Sequence, residues 1–281
     1  MVVELVKVGT KKITPDYRLT YIKGKHRKIK FFKHDQKSGS IPFLFRKKGI
    51  TKEKELHMKI WIESPYDKSG IVEIAEDRGI KITRKNPDFV ITYGGDGTIL
   101  MAERKFPGIP KVPIRNSKIC SMCVSYGKDN LGYVLDRLEK KDFCLEKSQK
   151  VEAIFKKKKL VAVNEIQIHN KDPRKAIRFS LEVKGQKLDE VIGDGLIFST
   201  PFGSTAYYRS LGLEPFKKGI RIGFNNVYPH REPIELRGPA NVEIIREKAL
   251  LLCDNNGTIN LKPGDRVEIY ESTEKAVFVR L

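Results

Sequence analysis

The sequence predicts a parallel α/β layer followed by a longer β-rich region, and three observations carry that expectation. Residues 89–93, Phe-Val-Ile-Thr-Tyr, form a short apolar run of the kind found in strands covered on both faces. The run stops at Gly94-Gly95-Asp96-Gly97-Thr98, and a helical pattern then begins at Ile99-Leu100-Met101-Ala102. From Val151 onward the texture changes to short alternating runs separated by turn residues, which reads as antiparallel sheet.

Residues 1–57 come first and hold four β-like runs, at 2–6, 18–22, 29–32 and 41–45, separated by turn signals. They read as a basic, strand-rich extension that ends in a charged linker, Thr51-Lys52-Glu53-Lys54-Glu55. A new strand is expected at 58–62. Ile71, Ile74 and Ala75 then fall at helical spacing before Arg78-Gly79 stops the helix. A short strand at 81–83 and the central strand at 89–93 follow. Strand, helix, strand, strand in so short a stretch opens a Rossmann-like layer, in which ligands sit at the carboxyl ends of the strands. The expected domains are 1–57, an α/β nucleotide-binding domain at 58–148 and a β-rich domain at 149–281. The last strand belongs either to the β-rich domain or back in the α/β layer.

In the β-rich part, 150–155 and 160–163 flank Lys156-Lys157-Lys158-Lys159, read as a solvated hairpin tip four lysines wide. Asn164-Glu165 interrupts the next strand. Residues 177–183 and 186–192 alternate around Lys184-Gly185 as a second hairpin, and Ser204-Thr205-Ala206-Tyr207 is expected to open a helix. Runs at 242–245, 249–252 and 265–269 continue as a β meander.

Composition narrows the classes. Hydrophobic residues at 40% and charged residues at 32% of 281 fit a folded protein rather than a disordered one. No run approaches the roughly 20 apolar residues of a membrane span, and no signal-peptide core opens the chain, so a cytoplasmic protein is expected. Four cysteines make no disulfide scaffold; Cys120 and Cys123 are spaced C-x-x-C but lack a second close pair, so they are read as ordinary thiols. The net charge is +20, and residues 1–57, with 16 Lys/Arg and 5 Asp/Glu, contribute +11 of it. Such a segment either attracts a polyanion or solubilises a face.

The glycine-rich turn carries the chemistry. Glycines at the carboxyl end of a strand let backbone amides approach a phosphate, and the following helix points its positive end at the same place. A carboxylate among those amides repels a bare anion. It suits a metal-phosphate, or a hydroxyl to be oriented or deprotonated. A strand-to-helix turn with a capping Asp fits the same spacing. Asn164-Glu165 offers a carboxamide beside a carboxylate, which suits a ribose diol and equally suits the exposed face of a strand.

A second stretch decides between these readings: Ile192-Gly193-Asp194-Gly195, then Ser199-Thr200-Pro201-Phe202-Gly203-Ser204-Thr205-Ala206-Tyr207. With Gly94-Gly95-Asp96-Gly97-Thr98 and Asn164-Glu165, in this order, the chain resembles the NAD kinase family over residues 58–281. The resemblance implies transfer of a phosphoryl group from ATP or polyphosphate to the 2′-hydroxyl on the adenosine ribose of NAD, giving NADP. It implies Asp96 as the catalytic base, with Gly94, Gly95, Gly97 and Thr98 at the phosphates. Asn164 and Glu165 would hold a ribose and Asp194 a polar end of the dinucleotide, while Thr205, Ala206, Tyr207 and Ser210 would line its pocket. Mg2+ or another divalent cation is implied as cofactor, and a homo-oligomer, dimer or tetramer, as the assembly.

Two departures stand against that pattern. The Asn-x-Gly-x-Leu-Gly-Phe stretch expected after the glycine loop is replaced by Ile114-Arg115-Asn116-Ser117-Lys118, and its one echo is Leu131-Gly132-Tyr133. Arg115 and Lys118 would then face phosphates instead. The Asp-Gly-Gln expected late in the chain is Asp254-Asn255-Asn256-Gly257, which keeps the acid. The alternatives are another kinase with this glycine loop, acting on a lipid or sugar, and a nucleic-acid-binding protein on a kinase scaffold, served by residues 1–57.

Overall fold

The computed structural model of the chain describes residues 17–20, 30–33, 58–116 and 127–281. The chain divides into two units, Met1–Glu55 and Leu56–Leu281. In the first unit, β1 (Tyr17–Thr20) and β2 (Lys30–Lys33) pair antiparallel with Tyr17 opposite Lys33. The runs expected at 2–6 and 41–45, the linker at 51–55, Lys118, Cys120 and Cys123 lie outside the described residues.

The second unit opens with the parallel layer. It contains β3 (Lys59–Glu63), α1 (Ser69–Glu76), β4 (Lys81–Ile82), β5 (Phe89–Gly94), α2 (Asp96–Lys105), β6 (Lys111–Arg115) and α3 (Leu131–Glu139). The strands run β6-β5-β3-β4, all parallel. Side chains on β5 alternate between faces, as a period of two requires. Ile91 and Tyr93 pack with Ile71, Leu131 and Leu135 under α1 and α3, while Val90 packs with Ala102 and Phe106 under α2. Helix α3 was not foreseen. Leu131, Val134, Leu135 and Leu138 follow helical spacing and are buried. Leu131-Gly132-Tyr133 is therefore the first turn of a packed helix.

The β-rich part comprises β7 (Cys144–Phe155), β8 (Lys158–Ala162), β9 (Glu165–Asn170), β10 (Ile177–Val183), β11 (Gln186–Gly193) and β12 (Gly195–Ser199). After α4 (Tyr207–Ser210) come β13 (Arg221–Asn225), β14 (Ile234–Glu235), β15 (Ala240–Arg246), β16 (Ala249–Cys253), β17 (Asn256–Leu261) and β18 (Arg266–Arg280). One antiparallel sheet runs β14-β13-β12-β9-β16-β17, and it faces β7, β10, β15 and β18 across a shared core that includes Phe179, Phe198, Val242 and Leu251. Strand β18 joins the layers. It pairs with β7 along both halves and with β15 over its first residues, and its end lies parallel to β6 with Phe278 opposite Lys111. The α/β layer followed by a β-rich region is thus the observed class.

Three local expectations are corrected. Phe155 pairs with Lys158, so the hairpin tip is Lys156-Lys157, with Lys156 left-handed at φ 56°. Lys158 and Lys159 belong to the strand. The runs at 242–245 and 249–252 fall in different sheets, because the chain crosses the sandwich at Glu247-Lys248. The helix opened at Ser204 is one turn long, four residues from Tyr207 to Ser210.

A small core of Ile99, Leu100, Val163, Phe202, Ala276 and Phe278 ties α2 to the sandwich. Phe278 is fully buried and stacks on Phe202 at 5.4 Å between ring centres. Phe278→Ala is expected to remove about 3–5 kcal/mol of stability through lost transfer energy and a residual cavity. Denaturant unfolding would show this as a lower midpoint at unchanged slope; an unshifted midpoint would mean that this core is not what joins the layers.

Candidate active site

Strand β5 delivers the glycine turn. An ideal Cβ on Gly94 would sit 2.2 Å from Thr98 Oγ1, so only glycine admits the buried threonine there. Gly95 is extended at φ −113°, ψ −167° and caps α2; its carbonyl accepts from the Thr98 and Ile99 amides at 3.0 and 3.3 Å. Asp96, half-buried, opens the helix, where the axial dipole favours a negative group. Gly97 is exposed. The Asn116 amide donates to the Gly94 carbonyl at 3.1 Å, and Arg115 lies beside Gly94 in register.

The Asn164-Glu165 turn is held from below by Asp254. Its carboxylate accepts three consecutive backbone amides: Val163 at 2.9 Å, Asn164 at 2.8 Å and Glu165 at 3.2 Å. From the other side the Thr200 amide donates to the Asn164 carbonyl at 2.9 Å, and the Thr200 hydroxyl donates to the Val163 carbonyl. Gly203 is required because a Cβ there would stand 2.2 Å from the Asn164 carbonyl oxygen. The sequence retains the acid at position 254, but its role depends on a contact across about 90 residues that no local pattern shows.

The next residue carries the connection to the glycine turn. The nearest group to a Cβ placed on Gly97 would be Asn255 Nδ2 at 3.7 Å, and Asn255 Oδ1 accepts from Arg104 of α2 at 3.4 Å. The structure therefore brings Gly94, Gly95, Asp96, Gly97 and Thr98 into one neighbourhood with Asn164, Glu165 and Gly203. Asp194 sits at the far end of β12 from Ser199, the residue opposite Glu165, roughly 16 Å away at 3.3 Å per residue. Its carboxylate accepts from Asn170 Nδ2 and Asn226 Nδ2, both at 3.0 Å. Thr205 is exposed and Ala206 half-buried; Tyr207 is 60% exposed, and the exposed Ser210 donates to the Tyr207 carbonyl at 2.6 Å.

Two polar atoms in this neighbourhood are buried without a partner: Asn164 Oδ1 and Glu165 Oε2. Glu165 Oε1 accepts from Gln167 at 3.3 Å. Burial, and then the Asp254 charge, push the Glu165 carboxyl up to about 8. Asp254 is also raised by burial, against the pull of its three amides. An orphaned acceptor is costly inside a protein, and a ligand hydroxyl would satisfy it. Near neutral pH Glu165 carries its proton, so it can both donate and accept, as a pair of neighbouring hydroxyls requires.

The sign of this shift gives a stability test. A carboxyl whose pKa rises on folding from 4.5 to about 8 contributes stability below pH 4.5 that is lost as pH rises toward 8. The ligand-free protein is expected to lose melting temperature between pH 5 and pH 8.5, and Glu165→Gln to lose several degrees less over the same interval. Equal slopes in thermal scans would show that Glu165 is not a buried acid.

Residues 163–281 match the ATP-NAD kinase C-terminal domain family. The bifunctional NADP phosphatase/NAD kinase of Methanococcus maripaludis is 29% identical over 207 residues, 68% of this chain, and the chain spans 36% of that protein's length. The NAD kinase of Thermoplasma acidophilum is 26% identical over 234 residues, covering 80% of this chain and 85% of the relative. The crystal structure of an NAD kinase from Archaeoglobus fulgidus in complex with ATP shares the fold, with a TM-score of 0.70 at 23% identity over 79% of this chain and 94% of its own. A glycine turn set against an Asn-Glu turn, on this two-part fold, thus accompanies a match of residues 163–281 to the ATP-NAD kinase C-terminal domain family.

Proposed function

We propose that this chain moves the terminal phosphoryl group of ATP to the 2′-hydroxyl on the adenosine ribose of NAD, making NADP. The observation that carries the reading is the Asp254-Asn255 turn, which holds the Asn164-Glu165 turn with its two orphaned oxygens and also meets Gly97 and Arg104 on the helix that Asp96 opens. The relatives favour the dinucleotide as acceptor over a lipid or a sugar.

In this reading Asn164 and Glu165 hold the ribose, and Asp96 takes the proton of the attacking hydroxyl. The amides of Gly94, Gly95 and Gly97 stand at the donor's phosphates, with Thr98 beside them. Asp194 meets a polar end of the dinucleotide. Thr205, Ala206, Tyr207 and Ser210 border that path. Phosphoryl transfer depends mainly on positioning and electrostatics, so a site with one carboxylate and a helix terminus is adequate.

Among the described residues no group of three His, Cys, Asp or Glu side chains is placed to cage an ion. A divalent cation, Mg2+ by preference, fits as one carried by the donor's phosphates, where it would offset their charge. Polyphosphate as donor, a dimer or tetramer, a cytoplasmic location and a polyanion role for residues 1–57 belong to the same proposal and rest on the resemblance and the charge. No helix among the described residues is long and apolar enough to cross a membrane.

Asp96→Asn tests the chemistry, since the amide keeps the shape and cannot accept the proton. With NAD, ATP and magnesium, the variant is expected to fold normally and lose roughly 10²–10⁴-fold in kcat. Retention of more than about a tenth of parental turnover would make Asp96 structural.

A further inference from the structure

We propose that Glu103 is a positioning residue for Asp96. With Lys150, Glu274 and Lys159 it forms a chain of alternating charges that fixes α2 against β8, and so fixes the acid on α2 relative to the Asn164-Glu165 turn. The kinetic half of this inference rests on the phosphotransferase reading; the structural half does not.

Glu103 follows Asp96 by seven residues, two turns along the same face of α2. It is 3% exposed, and the two lysines on it, Lys111 from β6 and Lys150 from β7, are 0% and 3% exposed. Its Oε1 also accepts the Gly108 amide at 3.1 Å. Beyond Lys150 the chain continues to Glu274 at 3.7 Å, from Glu274 to Lys159 at 3.0 Å, and from Lys159 to Glu152 at 3.1 Å. Glu152 is closed off by Tyr270 at 2.7 Å and Ser272 at 2.8 Å. Lys159 lies on β8, the strand that runs directly into Val163, Asn164 and Glu165. A cavity of about 260 Å³ flanks the chain, lined among others by Leu100, Glu103, Arg104, Lys150 and Glu274.

The burial of Lys111 and Lys150 against Glu103 is costly for fold stability. Burial pulls the pKa of the Lys111 ammonium down to about 8 in spite of the Glu103 carboxylate beside it, so desolvation outweighs attraction. Well-packed apolar residues would stabilise the same volume at least as well. An apolar contact, however, tolerates a helix that shifts between neighbouring ridge-and-groove seatings. A buried charge displaced from its partner does not, and so it selects one seating. Reaction geometry is sensitive at this scale, because about 1 Å of misplacement costs on the order of 10²-fold in rate.

The test compares Glu103→Gln, Lys150→Met and Lys150→Arg with the parent, each confirmed folded by circular dichroism. Glu103→Gln and Lys150→Met are expected to lower kcat about tenfold and to leave the KM of NAD and of ATP within about twofold. Lys150→Arg, which keeps the charge, is expected to recover to within about threefold of the parent. The double variant should lose no more than the worse single one, as members of one unit do. Without substrates, hydrogen exchange at amides 97–100 should speed up in Glu103→Gln and Lys150→Met only. Unchanged kcat and exchange in a folded Glu103→Gln, or losses that multiply in the double variant, would overturn the proposal. If Glu103→Gln fails to fold, Lys150→Met against Lys150→Arg decides the same question. If the parent makes no NADP, the function fails separately and exchange alone decides the positioning.

Discussion

The site depends on one carboxylate. Asp254 receives the amides of Val163, Asn164 and Glu165 in succession, and so gives the turn a definite shape. Three charge-assisted hydrogen bonds to one group are strong in a half-buried setting, because water competes weakly for them. The same turn of chain places Asn255 over Gly97 and against Arg104, so the anchor of the Asn-Glu pair also touches the helix that begins with Asp96. Thr200 and Gly203 then close on Asn164 from the opposite side. Each contact restricts one peptide group, and together they hold two chain segments some 70 residues apart in one place.

Electrostatics explains why such a site is poised for a ligand. Asp254 and Glu165 are neighbouring acids in a poorly solvated region, and one of them must yield. Asp254 has three amides to favour its charge, whereas Glu165 has one long contact from Gln167. Glu165 therefore keeps its proton, and with Asn164 it leaves oxygen atoms unpaired. The fold carries this strain because the sandwich behind it is large and apolar, with Phe198, Ile166 and Leu251 in its core. Strand β18 takes the load across the molecule by serving both the sandwich and the parallel layer.

Much of this was legible in the sequence, for physical reasons that differ by element. Strand β5 and its glycine turn stand out because burial on both faces and close backbone approach each leave a local signature. The hairpin at Lys184-Gly185 was equally plain, since both turn residues adopt positive φ, at 53° and 73°. Helix α3 has regular apolar spacing, yet in the sequence Leu131-Gly132-Tyr133 reads only as an echo of the family stretch and is given no secondary structure. The crossing between β15 and β16 was invisible, as alternation says which face is buried and not which sheet owns the strand. Asp254 and the Glu103 chain were also out of reach. A lysine or an acid inside an apolar strand announces a partner, but the partner lies on another element and is set by the tertiary fold.

The most direct test replaces Asp254 by Asn and titrates NAD into the protein by calorimetry. The amide keeps the size but has one acceptor oxygen, and its NH2 would face one of the three backbone donors. If Asp254 shapes the Asn164-Glu165 turn, the folded variant should bind NAD at least about tenfold more weakly, the equivalent of one hydrogen bond. A folded Asp254→Asn protein with parental NAD affinity would contradict the account.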